Sequence, residues 1–99
     1  MIHTKIKLNK KQADGYVISL GPLNLVFVVA GKGMVGCGAF DVAALNNFAY
    51  PAAKAKSKTG APIATIEDLL EGTVKEANAE ASKLGISIGM SCKEALELL

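Results

Sequence analysis

The stretch Gly31-Lys32-Gly33-Met34-Val35-Gly36-Cys37-Gly38-Ala39-Phe40-Asp41-Val42-Ala43-Ala44-Leu45-Asn46 decides how the chain is read. It opens on a glycine-flanked turn, passes through a short apolar strand and enters a helix at Asp41. An aspartate before a helix accepts backbone N–H bonds that no helical carbonyl can reach. Behind it, Val42, Leu45, Phe48 and Ala49 recur at helical spacing. Pro51 ends that helix by Tyr50, because the residue before a proline avoids helical angles. Gly31, Gly33 and Gly36 match the spacing GxGxxG, a motif that works between a strand and a helix with an acidic residue ~20 positions on. Here the glycines lie between two predicted strands, and positions 54–58 are mostly lysine, so no dinucleotide fingerprint is present. A phosphate loop of the form GxxxxGK[ST] is absent as well.

Upstream, residues 2–9 alternate. Ile2, Thr4, Ile6 and Leu8 share one face, His3, Lys5, Lys7 and Asn9 the other, which predicts a half-buried strand. Lys10 to Gly15 is a polar turn ending in Asp-Gly, a hairpin signal. Tyr16 to Leu20 is a second strand, broken by Gly21-Pro22. Asn24 to Ala30 is a third. Its run Leu25-Val26-Phe27-Val28-Val29 has no polar face, so both faces need cover. The helices of so short a chain cover one face, and the other points to a second copy. Met34 to Cys37 returns as a fourth strand and completes an antiparallel meander.

Downstream, Ala53 to Lys58 alternates small and cationic residues. This predicts a fifth strand with lysines in water, a pattern that protects a sheet edge. Thr59 to Ala64 is loop. Thr65 with Asp68 starts a short helix carrying Ile66, Leu69 and Leu70, and Gly72 closes it. Thr73 with Glu76 fits a capping box opening a helix to Leu84, with Val74, Ala77, Ala81 and Leu84 inward and Gly85 as its stop. Ile86-Ser87-Ile88 is expected to add a short strand. Ser91 with Glu94 opens a last helix whose stripe is Cys92, Ala95, Leu96 and Leu99. Strands first and helices later give an α+β class, an N-terminal antiparallel meander of about four strands followed by a mixed part with about three to four short helices on the sheet. The 99 residues are expected to form a single domain, 1–99.

Composition limits function. Hydrophobic residues make up 51% of the chain and aromatics only 5%, a surplus of small aliphatics that a partner subunit can bury. No apolar run approaches the ~18 residues of a membrane span. Met1 to Lys5 has no signal-peptide h-region. Two cysteines in such a chain read as thiols, and the expected compartment is the cytoplasm. Residues 1–60 hold eight lysines against Asp14 and Asp41, whereas residues 61–99 hold three against seven acids. The basic half can meet an anion or nucleic acid, or the acidic half within or between subunits. The chain has no arginine, the usual residue for forked phosphate and base recognition, which argues against nucleic acid.

The candidate site follows from the opening stretch. Cys37 is a candidate nucleophile where strand becomes helix, its thiolate favoured by a helix N-terminus. It also reads as a small buried hydrophobe. Gly36 and Gly38 leave room for a ligand or another backbone. The amides near Ala39 and Phe40 are placed to cradle an anion or oxyanion. Asp41 is a cap or a ligand-facing carboxylate. Asn46 and Asn47 sit where asparagine is a weak helix former, so one of them should hydrogen-bond across the core or an interface. Lys54, nearest the end of the first helix, is the candidate cation. Cys92 belongs to an apolar stripe and reads as structural. His3 is remote from Cys37 in sequence. No spacing fits a metal, and no cofactor is indicated.

At Cys37-Gly38-Ala39-Phe40-Asp41-Val42-Ala43-Ala44-Leu45-Asn46 the sequence resembles the YunC-like family of small bacterial and archaeal proteins, a domain of unknown function. The resemblance continues in Ile66-Glu67-Asp68-Leu69-Leu70, in Leu84 to Ser91 and in Glu94-Ala95-Leu96, so it spans nearly the whole chain. It implies an N-terminal β region that assembles tetramers, and motif positions at Cys37, Gly38, Asp41, Asn46 and Lys54. Lys54 departs from the arginine expected there, and Cys92 from a small residue after Met-Ser. The expectation is therefore a homo-oligomer, tetramer or dimer, binding a small anionic ligand at the Cys37–Asp41 turn, with Gly36, Gly38, Asp41, Asn46 and Lys54 as ligand-binding positions. The alternatives are a cysteine-dependent enzyme using Cys37, or a structural or nucleic-acid-binding module with lysine-rich strand faces.

Overall fold

The computed structural model describes all residues, 1–99. Six strands form one sheet in which spatial order follows chain order: β1 (Ile2–Lys7), β2 (Gln12–Ser19), β3 (Asn24–Ala30), β4 (Gly33–Gly36), β5 (Ala52–Lys56) and β6 (Thr73–Ala77). The first four pair antiparallel, as the meander predicts; β4 and β5 pair parallel, and β5 and β6 antiparallel. The parallel step needs a crossover, supplied by α1 (Val42–Leu45) and a single 3-10 turn, Asn46–Phe48. The other helices are α2 (Ile66–Leu70), α3 (Ala79–Lys83) and α4 (Cys92–Leu98). No helix is long and apolar enough to cross a membrane.

The two faces of the sheet are finished differently. On one side, Val26, Val28, Val35, Ala53, Ala55 and Val74 meet Ile66 and Leu69 of α2, Ala81 of α3 and Cys92, Ala95 and Leu96 of α4 in a cluster of 17 buried residues. The Cys92–Leu99 stripe is buried as its spacing predicts. On the other side the buried cluster is Met34, Val42 and Ala52, with Phe27, Val29, Phe40, Leu45 and Tyr50 partly buried around it. The alternation therefore puts Val26 and Val28 inside and leaves Phe27 and Val29 half-covered.

Caps decide the helix starts. Asp41 accepts from the Ala44 N–H at 3.0 Å. Thr65 and Asp68 form the full reciprocal box, and Ser91 accepts from the Glu94 N–H at 3.1 Å. The N–H of Ala64, foremost, with Thr65 holds the Asp68 carboxyl below its ordinary range.

Several expectations are corrected. Residues 73–84 do not form one helix: Thr73–Ala77 is β6, and Asn78 caps α3. Val74 and Ala77 suit either periodicity, and β5 needed a second neighbour. The lysine-bearing β5 is accordingly an interior strand between β4 and β6, so its lysines do not guard an edge; the edges are β1, with Lys5 and Lys7, and β6, with Lys75. The β1–β2 turn closes early, with the Leu8 N–H donating to the Lys11 carbonyl at 2.8 Å, and Asp14-Gly15 lies inside β2. A Cβ on Gly15 would sit 2.8 Å from Ile66 Cδ1, so that glycine serves helix packing and not a turn. α1 is a single turn, and Phe48 is 79% exposed instead of inward; the chain leaves the 3-10 turn through Ala49, at φ 54°. Ile86-Ser87-Ile88 is not a strand: Ile86 is buried, Ile88 is exposed, and the bridge to β6 is made instead by Ser91 with Thr73.

Candidate functional site: a groove at the Cys37 turn

Cys37 continues β4 by one residue. Its N–H donates to the Val26 carbonyl at 2.9 Å, and its carbonyl accepts from the Phe40 N–H at 3.3 Å. The thiol is buried on the helix-covered side. Phe40 folds back over Gly36, so a side chain at Gly36 would collide with that ring. The ring packs edge-on to Phe27, with centroids 5.4 Å apart. Gly38 differs: a Cβ there meets nothing within 4 Å, and its φ is not positive. Neither packing nor backbone geometry in the chain requires a glycine at that position.

Cys37, Gly38 and Ala39 form one wall of a largely apolar groove of about 510 Å³; Pro22, Leu23 and Asn24 form a second, and Pro62, Ile63 and Ala64 the third. The 57–64 loop is pinned in place. Ser57 Oγ donates to the Ala61 carbonyl, the Ala61 N–H to Thr59 Oγ1 at 3.4 Å, and Asn24 Nδ2 to the Ala64 carbonyl at 3.0 Å. At Gly38, Pro62 and Ile63 the groove runs into a second of about 540 Å³, lined by Lys56, Lys58 and Lys75.

Of the sequence-predicted positions, the structure brings Cys37 and Gly38 together on the groove and sets the others apart from it. Asp41 is the exposed cap of α1. Asn46 Oδ1 accepts from the Glu80 N–H at 3.0 Å, the crossing bond that an asparagine there was expected to make. Lys54 is only 20% exposed and faces Glu76 at 3.4 Å. A helix of 4 residues presents only a small dipole to Cys37. His3 is three strands away on β1, with Nε2 2.8 Å from Asp14 Oδ1. Lys5 first, then His3, holds the Asp14 carboxyl below the usual carboxylate range. Burial pushes the Cys92 thiol up to about 12, which keeps it protonated at neutral pH and out of thiolate chemistry.

Two features escaped the sequence reading. Asn78, the only buried polar side chain, accepts from the N–H groups of Ala81 (2.9 Å) and Ala52 (3.2 Å) and donates to the carbonyls of Val42 and Tyr50, both at 2.9 Å. It locks α1, β5 and α3 together behind the turn. Its only signal is an asparagine between Ala77 and Ala79. The second is the Lys56–Lys58–Lys75 grouping, half visible in the 53–58 alternation but completed by a residue of β6.

A six-stranded α+β chain with a groove at a Cys-Gly turn is the class that fold and site define. The family described as a domain of unknown function, DUF1805, matches residues 36–99, and the chain belongs to that family. It is 31% identical over 98 residues to the uncharacterized protein YunC of Bacillus subtilis (strain 168), covering 94% of this chain and 91% of that protein. The crystal structure of TA1206, a protein of unknown function from Thermoplasma acidophilum, superposes with a TM-score of 0.85 at 25% identity, covering 97% of this chain and 89% of that one.

Proposed function

We propose that the protein is a homo-oligomer that binds a small anionic molecule at the Cys37–Asp41 turn, in the groove walled by Cys37 and Gly38. The observation that carries the reading is Gly38. It is bare where the fold has room for a side chain, and it stands where the apolar groove opens into the lysine-lined one. A side chain there would narrow the joint without disturbing the core. The oligomeric half is supported by the sheet face that α1 leaves uncovered. Across β1, β2 and β3, His3, Tyr16 and Phe27 stack with centroids 4.7 and 5.1 Å apart and no helix above the first two. Such a flat aromatic row suits burial against a second copy.

The test is a thermal-shift screen of phosphorylated and carboxylated metabolites on the native chain and on Gly38→Val. Compounds that raise the melting temperature of the native chain are expected to lose that effect in Gly38→Val, whose own melting temperature stays close to native. An absence of stabilising anions, or equal stabilisation of both chains, overturns the reading.

A further inference from the structure

We infer that Lys56, Lys58 and Lys75 form the anion-holding end of this site, and that its ligand pairs a multiply charged, phosphate-like head with an apolar body lying over Gly38 toward Cys37. The inference rests on the proposed binding groove and names the chemistry it selects.

Strand order comes first. Lysines at alternate positions of an edge strand are explained by edge protection, but β5 is flanked by β4 and β6. Register supplies the third lysine. Lys54 pairs with Glu76 and Ala55 with Val74, so Lys75 is the unpaired extra residue of a bulge. A bulge re-aims a side chain locally, and Lys75 lines the same groove as Lys56 and Lys58. Three cations thus converge from an interior strand, a pinned loop and a bulge.

Charge balance comes next. The ion pairs of the chain are His3 and Lys5 with Asp14, Lys54 with Glu76, and Lys83 with Glu80. None involves Lys56, Lys58 or Lys75, and no carboxylate lines their groove. Like charges brought together without counter-charge repel, which a bound anion relieves. Lysine is a point-charge donor, suited to a compact, multiply charged head. The hydroxyl-bearing residues Ser57 and Thr59 line the same space. The adjoining groove, largely apolar, accommodates a non-polar body. Lys54, with its own partner in Glu76, lies outside this arrangement.

The experiment is a titration of the ¹⁵N-labelled chain with inorganic pyrophosphate, read by amide shifts, on the native protein, Lys54→Ala, Lys75→Gln and Lys56→Ala/Lys58→Ala/Lys75→Gln. The native chain is expected to show saturable shifts centred on residues 55–61, Lys75 and Gly38. Lys54→Ala should bind like the native chain, and Lys75→Gln about threefold more weakly. The triple variant should bind at least about tenfold more weakly, with affinity falling as salt rises. These lysines are exposed, so an unchanged spectrum away from the groove shows that each variant is folded. Saturable shifts confined to residues 37–41 and unaltered in the triple variant overturn the lysine site and leave the groove reading standing. The absence of saturable shifts anywhere overturns the lysine site, while the groove reading is decided separately by the thermal-shift screen.

Discussion

The two faces of the sheet use the same strands to opposite ends. The side under α2, α3 and α4 is a continuous apolar core, in which Ala53 and Ala55 of β5 and Ala81 of α3 make room for Ile66, Leu69 and Leu96 of α2 and α4. The other side has a core of three buried residues beneath one turn of helix, and most of its width carries stacked aromatics and charges. Burial of apolar area is the main stabilising term, so stability is concentrated on the first side. The second buries few residues, and its open part is the surface that the proposed assembly uses.

Mutations that probe each side should separate the roles. Leu96→Ala, at the centre of the covered face, is expected to cost about 2–5 kcal/mol by chemical denaturation, the range for a large aliphatic deleted from a packed core. A loss below about 1 kcal/mol would mean that this face is looser than its burial implies.

Asn78→Ala attacks the seam between the two sides. It removes the side-chain partners of two N–H groups and two carbonyls. Groups left unsatisfied in the interior carry their desolvation cost, so a loss of about 2–3 kcal/mol is expected. Hydrogen exchange should rise first at the Ala52 and Ala81 amides, the two N–H groups that donate to Asn78. Uniform acceleration over the whole chain would show that the seam is not a local unit.

Tyr16→Ala, on the open face, should change stability least. It removes both stacked pairs of the row, with His3 and with Phe27, together about 1–2 kcal/mol on a partly solvated face. Its expected signature is in sedimentation velocity, where the variant shifts toward the monomer at concentrations that keep the native chain assembled. An unchanged sedimentation profile would remove this face as the subunit interface.

The same comparison shows why some elements were legible in sequence. The meander, α2 and α4 announce themselves through local chemistry: residue alternation in β1, the unbroken apolar run of β3, and Thr65 and Ser91 each capping a helix three residues before an acid. Cys37 and Gly38 stand out in sequence because a glycine-flanked thiol at a strand end is a local pattern, and the fold sets both on a groove. The failures are all non-local. Val74 belongs to β6 because β5 lacked a neighbour, which no window around residue 74 can reveal. Gly15 looks like a turn residue but answers to the Ile66 side chain. The lysines of β5 resemble an edge until β6 is placed beside them, and Lys75 joins them only through a bulge. Asn78 holds partners 26 and 36 residues away, so its environment exists only in the folded chain.

Because strand order equals chain order, each strand finds its partner among the residues next made, and the sheet can grow like a ribbon laid down from one end. The long-range closures fall elsewhere: α4 packs beneath β3 and β4, the Leu99 carbonyl accepts from the Lys32 N–H at 3.0 Å, and the Glu97 carboxylate accepts from the Asn9 N–H across 88 positions. Contacts of that span carry the greatest loop-closure entropy. Residues 92–99 are thus a clasp across the ribbon, joining its first turn and its middle strands through the longest loops of the chain.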